Sequence, residues 1–295
     1  MNLRAIKFKL LQELKISRPG LWFPTVWIYL VPFSFATQFW SQAVFWIGLF
    51  FVTFPLNYLV YGLNDFNDTK ADAYNKRKGN FLFGARFSKE QLRGTPLKIT
   101  IVVLPFIILF TVLAGYKMFL LLLFMVAINV LYNFRPFRLK ERPPFEIIIQ
   151  IGYVFTALFS VLLNDIEMIP WQTLVYLCLF AFQAHLAGEI MDIEPDRQGG
   201  KRTTATVIGR VPSKLIMLGL LLSEVYILYF WFNDHVLSAF LAIFSSWLVI
   251  DLLFLFRAKP YSVFQMKLFG IAMNVSAILS MLWILYSGNL LQPNF

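Results

Sequence analysis

The residues best able to do chemistry lie in two acidic clusters, each closing an apolar stretch. The first reads Asn64-Asp65-Phe66-Asn67-Asp68-Thr69-Lys70-Ala71-Asp72, the second Glu189-Ile190-Met191-Asp192-Ile193-Glu194-Pro195-Asp196. Carboxylates are costly beside hydrocarbon and persist there mainly where function holds them. On a helix, residues 64, 65, 68 and 72 share a face, because steps of three and four return to the same side. Residues 185, 189, 192 and 196 do likewise. Two facing carboxylate sets with oxygen-only ligands suit Mg²⁺, which keeps waters and binds substrate phosphates through a few carboxylates. Together the two sets are expected to form a diphosphate–Mg²⁺ site at a membrane surface. Counter-charge follows each cluster: Arg77 and Lys78, then Arg197, Lys201 and Arg202. Arg offers phosphate oxygens a planar fork and Lys a mobile point charge.

The elements that must carry these residues are membrane helices. The 295-residue chain is 59% hydrophobic and 14% charged, against about 25% charged residues in soluble domains. Spanning helices need about 17–25 apolar residues. Nine such runs fall near 21–38, 42–63, 98–115, 117–134, 145–163, 171–191, 212–232, 236–256 and 267–287. The fold expected is an all-α bundle of nine transmembrane helices around a central cavity, one domain over 1–295. Residues 1–20 hold an interfacial amphipathic helix, in which Leu3, Ile6, Leu10, Leu11 and Leu14 oppose Lys7, Lys9 and Lys15. No short apolar segment with a small-residue cleavage site precedes the first run, so no removable signal peptide is expected. The single cysteine, Cys178, excludes an internal disulfide framework.

Basic residues set the topology. In a nine-span arrangement, 25 of the 26 Lys and Arg fall on one side of the membrane, and only Lys117 on the other. The positive-inside rule makes the amino terminus cytoplasmic. The net charge of +10 is then explained by topology and by attraction to anionic lipid and phosphate, without nucleic acid. The two clusters sit four runs apart, so both leave the membrane on the cytoplasmic face.

Within each helix the acids extend a polar stripe. Asn57, Tyr61, Asn64, Asp65, Asp68 and Asp72 form the first; His185, Glu189, Asp192 and Asp196 form the second. Glu189 and His185 are the candidates for proton transfer, although a lone intramembrane His more often bonds a neighbouring helix. Glu224 and Asp251 lie away from either cluster and read as interhelical bonding groups. A proline inside a helix removes one backbone bond, so Pro195 is expected to end or kink its helix just after Asp192.

The spacing Asn64-Asp65-x-x-Asp68-x-x-x-Asp72 resembles the N-D-x-x-D-x-x-x-D motif of the UbiA superfamily of intramembrane prenyltransferases. Asp192-x-x-x-Asp196 followed by Gly200-Lys201-Arg202-Thr203-Thr204-Ala205 is similar to that family's second motif. The loop Tyr132-Asn133-Phe134-Arg135-Pro136-Phe137-Arg138-Leu139-Lys140 resembles its Tyr-to-Lys stretch. Arg77-Lys78-Gly79 and Arg142-Pro143-Pro144 look more like the branch that includes lycopene elongases. The resemblance implies a helical bundle that transfers a prenyl group from an allylic isoprenyl diphosphate to a lipophilic acceptor. It makes Asn64, Arg77, Lys140 and Lys201 diphosphate-binding, Asp65, Asp68, Asp72, Asp192 and Asp196 the metal ligands, and Asp65, Asp68 and Asp192 catalytic; Glu189 joins the catalytic candidates because it continues the second stripe. Mg²⁺ is the implied cofactor, a carotenoid such as lycopene the expected acceptor, and an aromatic quinone precursor the alternative. The expected location is the cell membrane, as a multi-pass protein in contact with lipid. The rival class is a transporter, but transporter sites lie near the bilayer midplane on interrupted helices, whereas these acids end their helices.

Overall fold

A computed structural model describes residues 3–34 and 38–294, with side chains from residue 10 onward. It is built from helices, and the described residues contain no strand beyond one antiparallel bridge between Asn80 and Gly84. The principal elements are α1 (Leu3–Ile16), α2 (Phe23–Phe33), α3 (Ala43–Tyr74), α4 (Thr95–Asn133), α5 (Phe145–Asn164), α6 (Trp171–Gly199), α7 (Arg210–Trp231), α8 (His235–Phe254) and α9 (Val263–Ser287). Seven helices among the described residues are long and apolar enough to cross a membrane.

Three of the nine expected runs differ in form. The run near 21–38 is helical only as the eleven-residue apolar segment Phe23–Phe33, shorter than a span requires. The runs at 98–115 and 117–134 form one element, α4, broken at Gly115, where φ 78 and ψ −169 leave the helical region. An unbroken helix would separate Val103 and Met125 by roughly 33 Å at 1.5 Å per residue. Both line one small void with Phe51 and Leu59, so the two limbs fold back on each other. Only Gly tolerates that dihedral pair without penalty.

Helix α1 covers Leu3–Ile16, with Leu10 and Leu11 on its exposed side; the side chains of Leu3, Ile6, Lys7 and Lys9 lie outside the described ones. Its other side is tied down. The Tyr58 hydroxyl donates to Glu13 at 2.5 Å, and Lys98 pairs with the same carboxylate.

Helix α3 breaks at Phe54, just before Pro55. Asn57 repairs the break: its Nδ2 donates to the Val52 and Thr53 carbonyls and to Thr25 Oγ1, each at 2.8 Å. Asn57, expected to begin the polar stripe, is thus a fully buried splint. Nearby aromatic residues fill the core, with Phe51, Phe110 and Phe159 mutually 5.0–5.2 Å apart between ring centroids.

The expectation for Pro195 is overturned. Helix α6 continues through it to Gly199. Gly200 ends it instead, at φ +75, where the Gly200 N–H donates to the Arg197 carbonyl and the Lys201 N–H to the Asp196 carbonyl at 2.8 Å. This paired cap satisfies the last carbonyls through a left-handed residue. It also turns Lys201 back toward the acids. Pro195 sits one turn from the helix end, and the backbone bond it cannot make is the one to Met191.

Candidate functional site

Helices α3 and α6 cross at their last turns. Gly199 meets Ala71 so closely that only a hydrogen fits between them, and small residues let helix backbones approach in this way. The crossing brings the two acidic clusters to opposite walls of one cavity of about 250 Å³. Asn64, Asp68 and Asp72 line one wall, with Tyr61 deeper; His185, Glu189, Asp192 and Asp196 line the other.

Asp68 is the hub. It is 4% exposed, with Lys140 Nζ 2.5 Å from Oδ1 and Lys201 Nζ 2.9 Å from Oδ2. Lys201 also lies 3.6 Å from Asp196, so one ammonium bridges the two acidic motifs. Lys140 is fully buried and donates to Asn133 Oδ1 at 3.0 Å. Burial pushes its ammonium down to about 8, although Asp68 pulls the other way. Burial also disfavours charge on Lys201, but Asp68 and Asp196 outweigh it and hold that pKa well above the usual lysine value.

The other acids have their own partners. Asp192 accepts from Arg77 at 2.5 Å and from Asn75 Nδ2 at 2.9 Å. Lys78 sits 2.5 Å from Asp72 and 2.7 Å from Asp65. Asp65 departs from its expected place. It shares the helical face of Asn64, but it is 1% exposed and absent from the cavity wall, held behind it by Lys78 and Arg18. Arg18, in turn, lies over the Tyr61 ring at 4.6 Å.

Glu189 is unlike the motif acids, because among the described residues no lysine or arginine pairs with it. Its Oε2 accepts from the Ala205 N–H at 3.1 Å, and its Oε1 lies 3.1 Å from His185 Nε2. Sequence reading passed over its neighbour Glu146. That carboxylate, fully buried, accepts from the Thr204 N–H at 2.5 Å. The two glutamates thereby pin the start of the short helix Thr204–Ile208 and, with it, the loop that carries Lys201 and Thr203 into the cavity. A lone Glu opening an apolar run after Pro143-Pro144 was the available signal. Asp251 behaves as an interhelical group, bonded to Lys214 and Tyr261.

The donor set tests whether a metal fits. Asn64, Asp68, Asp72, Asp192 and Asp196 offer only oxygen to the cavity, which suits a hard divalent cation. Among the described residues no three His, Cys, Asp or Glu side chains converge as a ready ligand cluster, because lysines and arginines stand between the carboxylates. The chemistry of the donors fits such an ion, and binding it requires Lys78 and Lys201 to give up carboxylate oxygens.

The chain matches the UbiA prenyltransferase family over residues 21–278. It is 27% identical over 199 residues to a lycopene elongase/hydratase of Corynebacterium glutamicum, covering 65% of this chain and 68% of that protein. It is 30% identical over 202 residues to one of Haloarcula japonica, covering 66% of each. The fold is that of a UbiA homolog from Archaeoglobus fulgidus, solved with DMAPP and Mg²⁺ and with GPP and Mg²⁺. Each superposes with a TM-score of 0.71 at 16% identity, over 93% of this chain and 99% of that one. With a crossed pair of acidic helices, seven long apolar helices and this match, the chain is a multi-pass integral membrane protein that belongs to the UbiA prenyltransferase family, in its lycopene elongase-like branch, and is a prenyltransferase.

Proposed function

We propose that this protein transfers a prenyl group from an allylic isoprenyl diphosphate to a carotenoid-like polyene, with Mg²⁺ as cofactor, at the cytoplasmic face of the cell membrane. In this reading the chain spans nine times with its amino terminus inside; the two limbs of α4 count as two crossings, and the apolar run near 21–38, of which Phe23–Phe33 is the described helical part, counts as another. The observation that carries it is the charge balance of the cavity. Asp68, Asp72, Asp192, Asp196 and Glu189 line it against Arg18, Arg77, Lys78, Lys140 and Lys201, equal numbers of each sign. A diphosphate adds about three negative charges, which that balance leaves uncompensated and which divalent cations held by the motif acids would neutralise. The A. fulgidus homolog with diphosphates and Mg²⁺ and the lycopene elongase/hydratases supply donor and acceptor classes.

When bound, the metal stabilises the charge that gathers on the departing diphosphate. Asp68, Asp72, Asp192 and Asp196 would hold it, and Asn64, Arg77, Lys140 and Lys201 would hold diphosphate oxygens. The allylic carbon–oxygen bond breaks, the electron pair leaves with diphosphate, and the acceptor double bond forms the new carbon–carbon bond. The positive charge then rests on the acceptor, and a proton leaves its neighbouring carbon. Glu189, facing the cavity with no cation upon it and with His185 beside it, takes that proton. The apolar depth of the cavity, around Ile28, Leu56 and Met125, keeps water from the cation.

The test is purified protein in detergent, with and without Mg²⁺, offered labelled allylic diphosphates of several lengths. Lycopene and an aromatic quinone precursor compete as acceptors, and products are followed by mass. A Mg²⁺-dependent prenylated polyene is expected. Prenylation of the aromatic acceptor alone would move the protein to the other branch, and absence of Mg²⁺-dependent diphosphate binding would revive the transporter reading.

A further inference from the structure

We infer that Arg210 is a positioning residue for the second acidic motif: its guanidinium splints the turn of α6 from Ile190 to Glu194, just before Pro195, and so holds Asp192 and Asp196 in register with α3. This rests on the reading of those two acids as part of the diphosphate site.

Helices α7 and α8 line none of the cavity, yet the first residue of α7 is a buried arginine, 7% exposed. All of its bonds point at α6 or at the loop beyond α8. Nη1 donates to the Ile190 carbonyl at 3.1 Å, Nη2 pairs with the Glu194 carboxylate, and Nε donates to the Ala258 carbonyl at 3.3 Å. Ile190 and Glu194 are four residues apart, the span of one helical backbone bond. Pro195 lacks the N–H that would close the next such bond, to Met191. The arginine therefore ties together the turn that proline weakens, and Asp192 lies inside that turn.

Arg210 is itself firmly placed. It follows Gly209 at φ +86. One turn later, fully buried Lys214 pairs with fully buried Asp251, which accepts from the Tyr261 hydroxyl at 2.9 Å. Ala258 belongs to the same loop as Tyr261, so the strut from the carboxyl-terminal helices ends on α6. A lysine at 210 could not make this fork, since three bonds in two directions need the planar guanidinium. The arrangement also accounts for the Glu194-Pro195 pair: the acid binds the splint that the proline requires.

The test uses full-length protein in detergent, with Arg210→Met, Glu194→Gln, Pro195→Ala and the double variant Arg210→Met/Pro195→Ala. Amide hydrogen exchange is measured without metal or substrate, and binding of inorganic diphosphate with Mg²⁺ by calorimetry. Arg210→Met should speed exchange across 192–199 but not across 60–72, weaken diphosphate binding about tenfold, and leave the KM for acceptor in place. Restoring the backbone bond with Pro195→Ala should recover most of that loss, the signature of two groups serving one turn. Equal losses with and without Pro195→Ala would overturn the inference, as would unchanged exchange across 192–199 in Arg210→Met. If Arg210→Met fails to fold, Glu194→Gln decides by the same exchange window: faster exchange there supports the splint and unchanged exchange refutes it. Wild-type protein that binds no diphosphate would sink the functional reading instead, with the exchange experiment still deciding the splint.

Discussion

Gly199 and Ala71 touch where α6 crosses α3: a Cβ built on Gly199 would stand 2.6 Å from both Cα and Cβ of Ala71. Real Cβ contacts are never that short, so any larger residue must push the helices apart. Ala71 adjoins Asp72, and Gly199 lies three residues beyond Asp196. The separation of the two acidic motifs is therefore set by the absence of one methyl group.

Gly199→Val should consequently raise the KM for the diphosphate at least about tenfold, since a misplacement of an ångström at a binding constellation costs that much or more. Ala71→Gly in the same protein removes the opposing Cβ and should recover part of the loss. Steady-state kinetics on both variants checks this; a wild-type KM in Gly199→Val would show that the crossing does not control the site.

Asp68 holds two lysines from two different loops. Asp68→Asn should lower kcat by about three orders of magnitude or more, and Asp192→Asn should do the same, with both proteins inserted and folded. Thermal midpoints in detergent provide the folding control, because Asp68→Asn also leaves Lys140 and Lys201 without their counter-charge. Substantial residual turnover in either purified variant would remove these acids from the metal-binding role.

For Glu189 and His185 the expected losses are unequal. Glu189→Gln removes the base and should slow turnover about a hundredfold, within the range for general acid–base groups. His185→Ala should cost less than about tenfold, with diphosphate binding intact in both. Equal effects would give proton transfer to the pair as one unit, and a binding defect in Glu189→Gln would make its anchoring of the Ala205 N–H the larger role.

Removal of divalent metal by a chelator should abolish turnover and weaken diphosphate binding, because the cavity's own charges balance. Added Mg²⁺ should restore both. Binding that is indifferent to the chelator would mean that Arg77, Lys140 and Lys201 suffice to hold the diphosphate.

Lys140 is buried against Asp68, and Lys140→Met would leave that carboxylate with Lys201 as its near partner. Diphosphate affinity should fall by more than about tenfold, with Lys140→Arg recovering only part, since a guanidinium needs more room than a point-like ammonium. Calorimetry with inorganic diphosphate reads this directly. An unchanged affinity would confine the 135–142 loop to topology.

The sequence by itself determined which residues share a helical face, because a 3.6-residue repeat is a local property. From it came the acid stripes, the apolar runs, the long helices at both motifs, and the bunching of basic residues near them. It also placed Lys140 and Lys201 among the candidates that the cavity wall gathers. What it left open depends on distances between elements. Asp65 and Asn64 lie on one face, yet only Asn64 reaches the cavity, because Arg18 and Lys78 arrive from elsewhere in the chain and draw Asp65 behind the wall. Asn57 continues the stripe but spends its amide on a helix break whose carbonyls need donors. Pro195 looked like a terminus, and Gly200 became one, since a cap is decided by the left-handed turn that follows. Periodicity orients a side chain about its own axis; only the packing of axes decides which partner it meets.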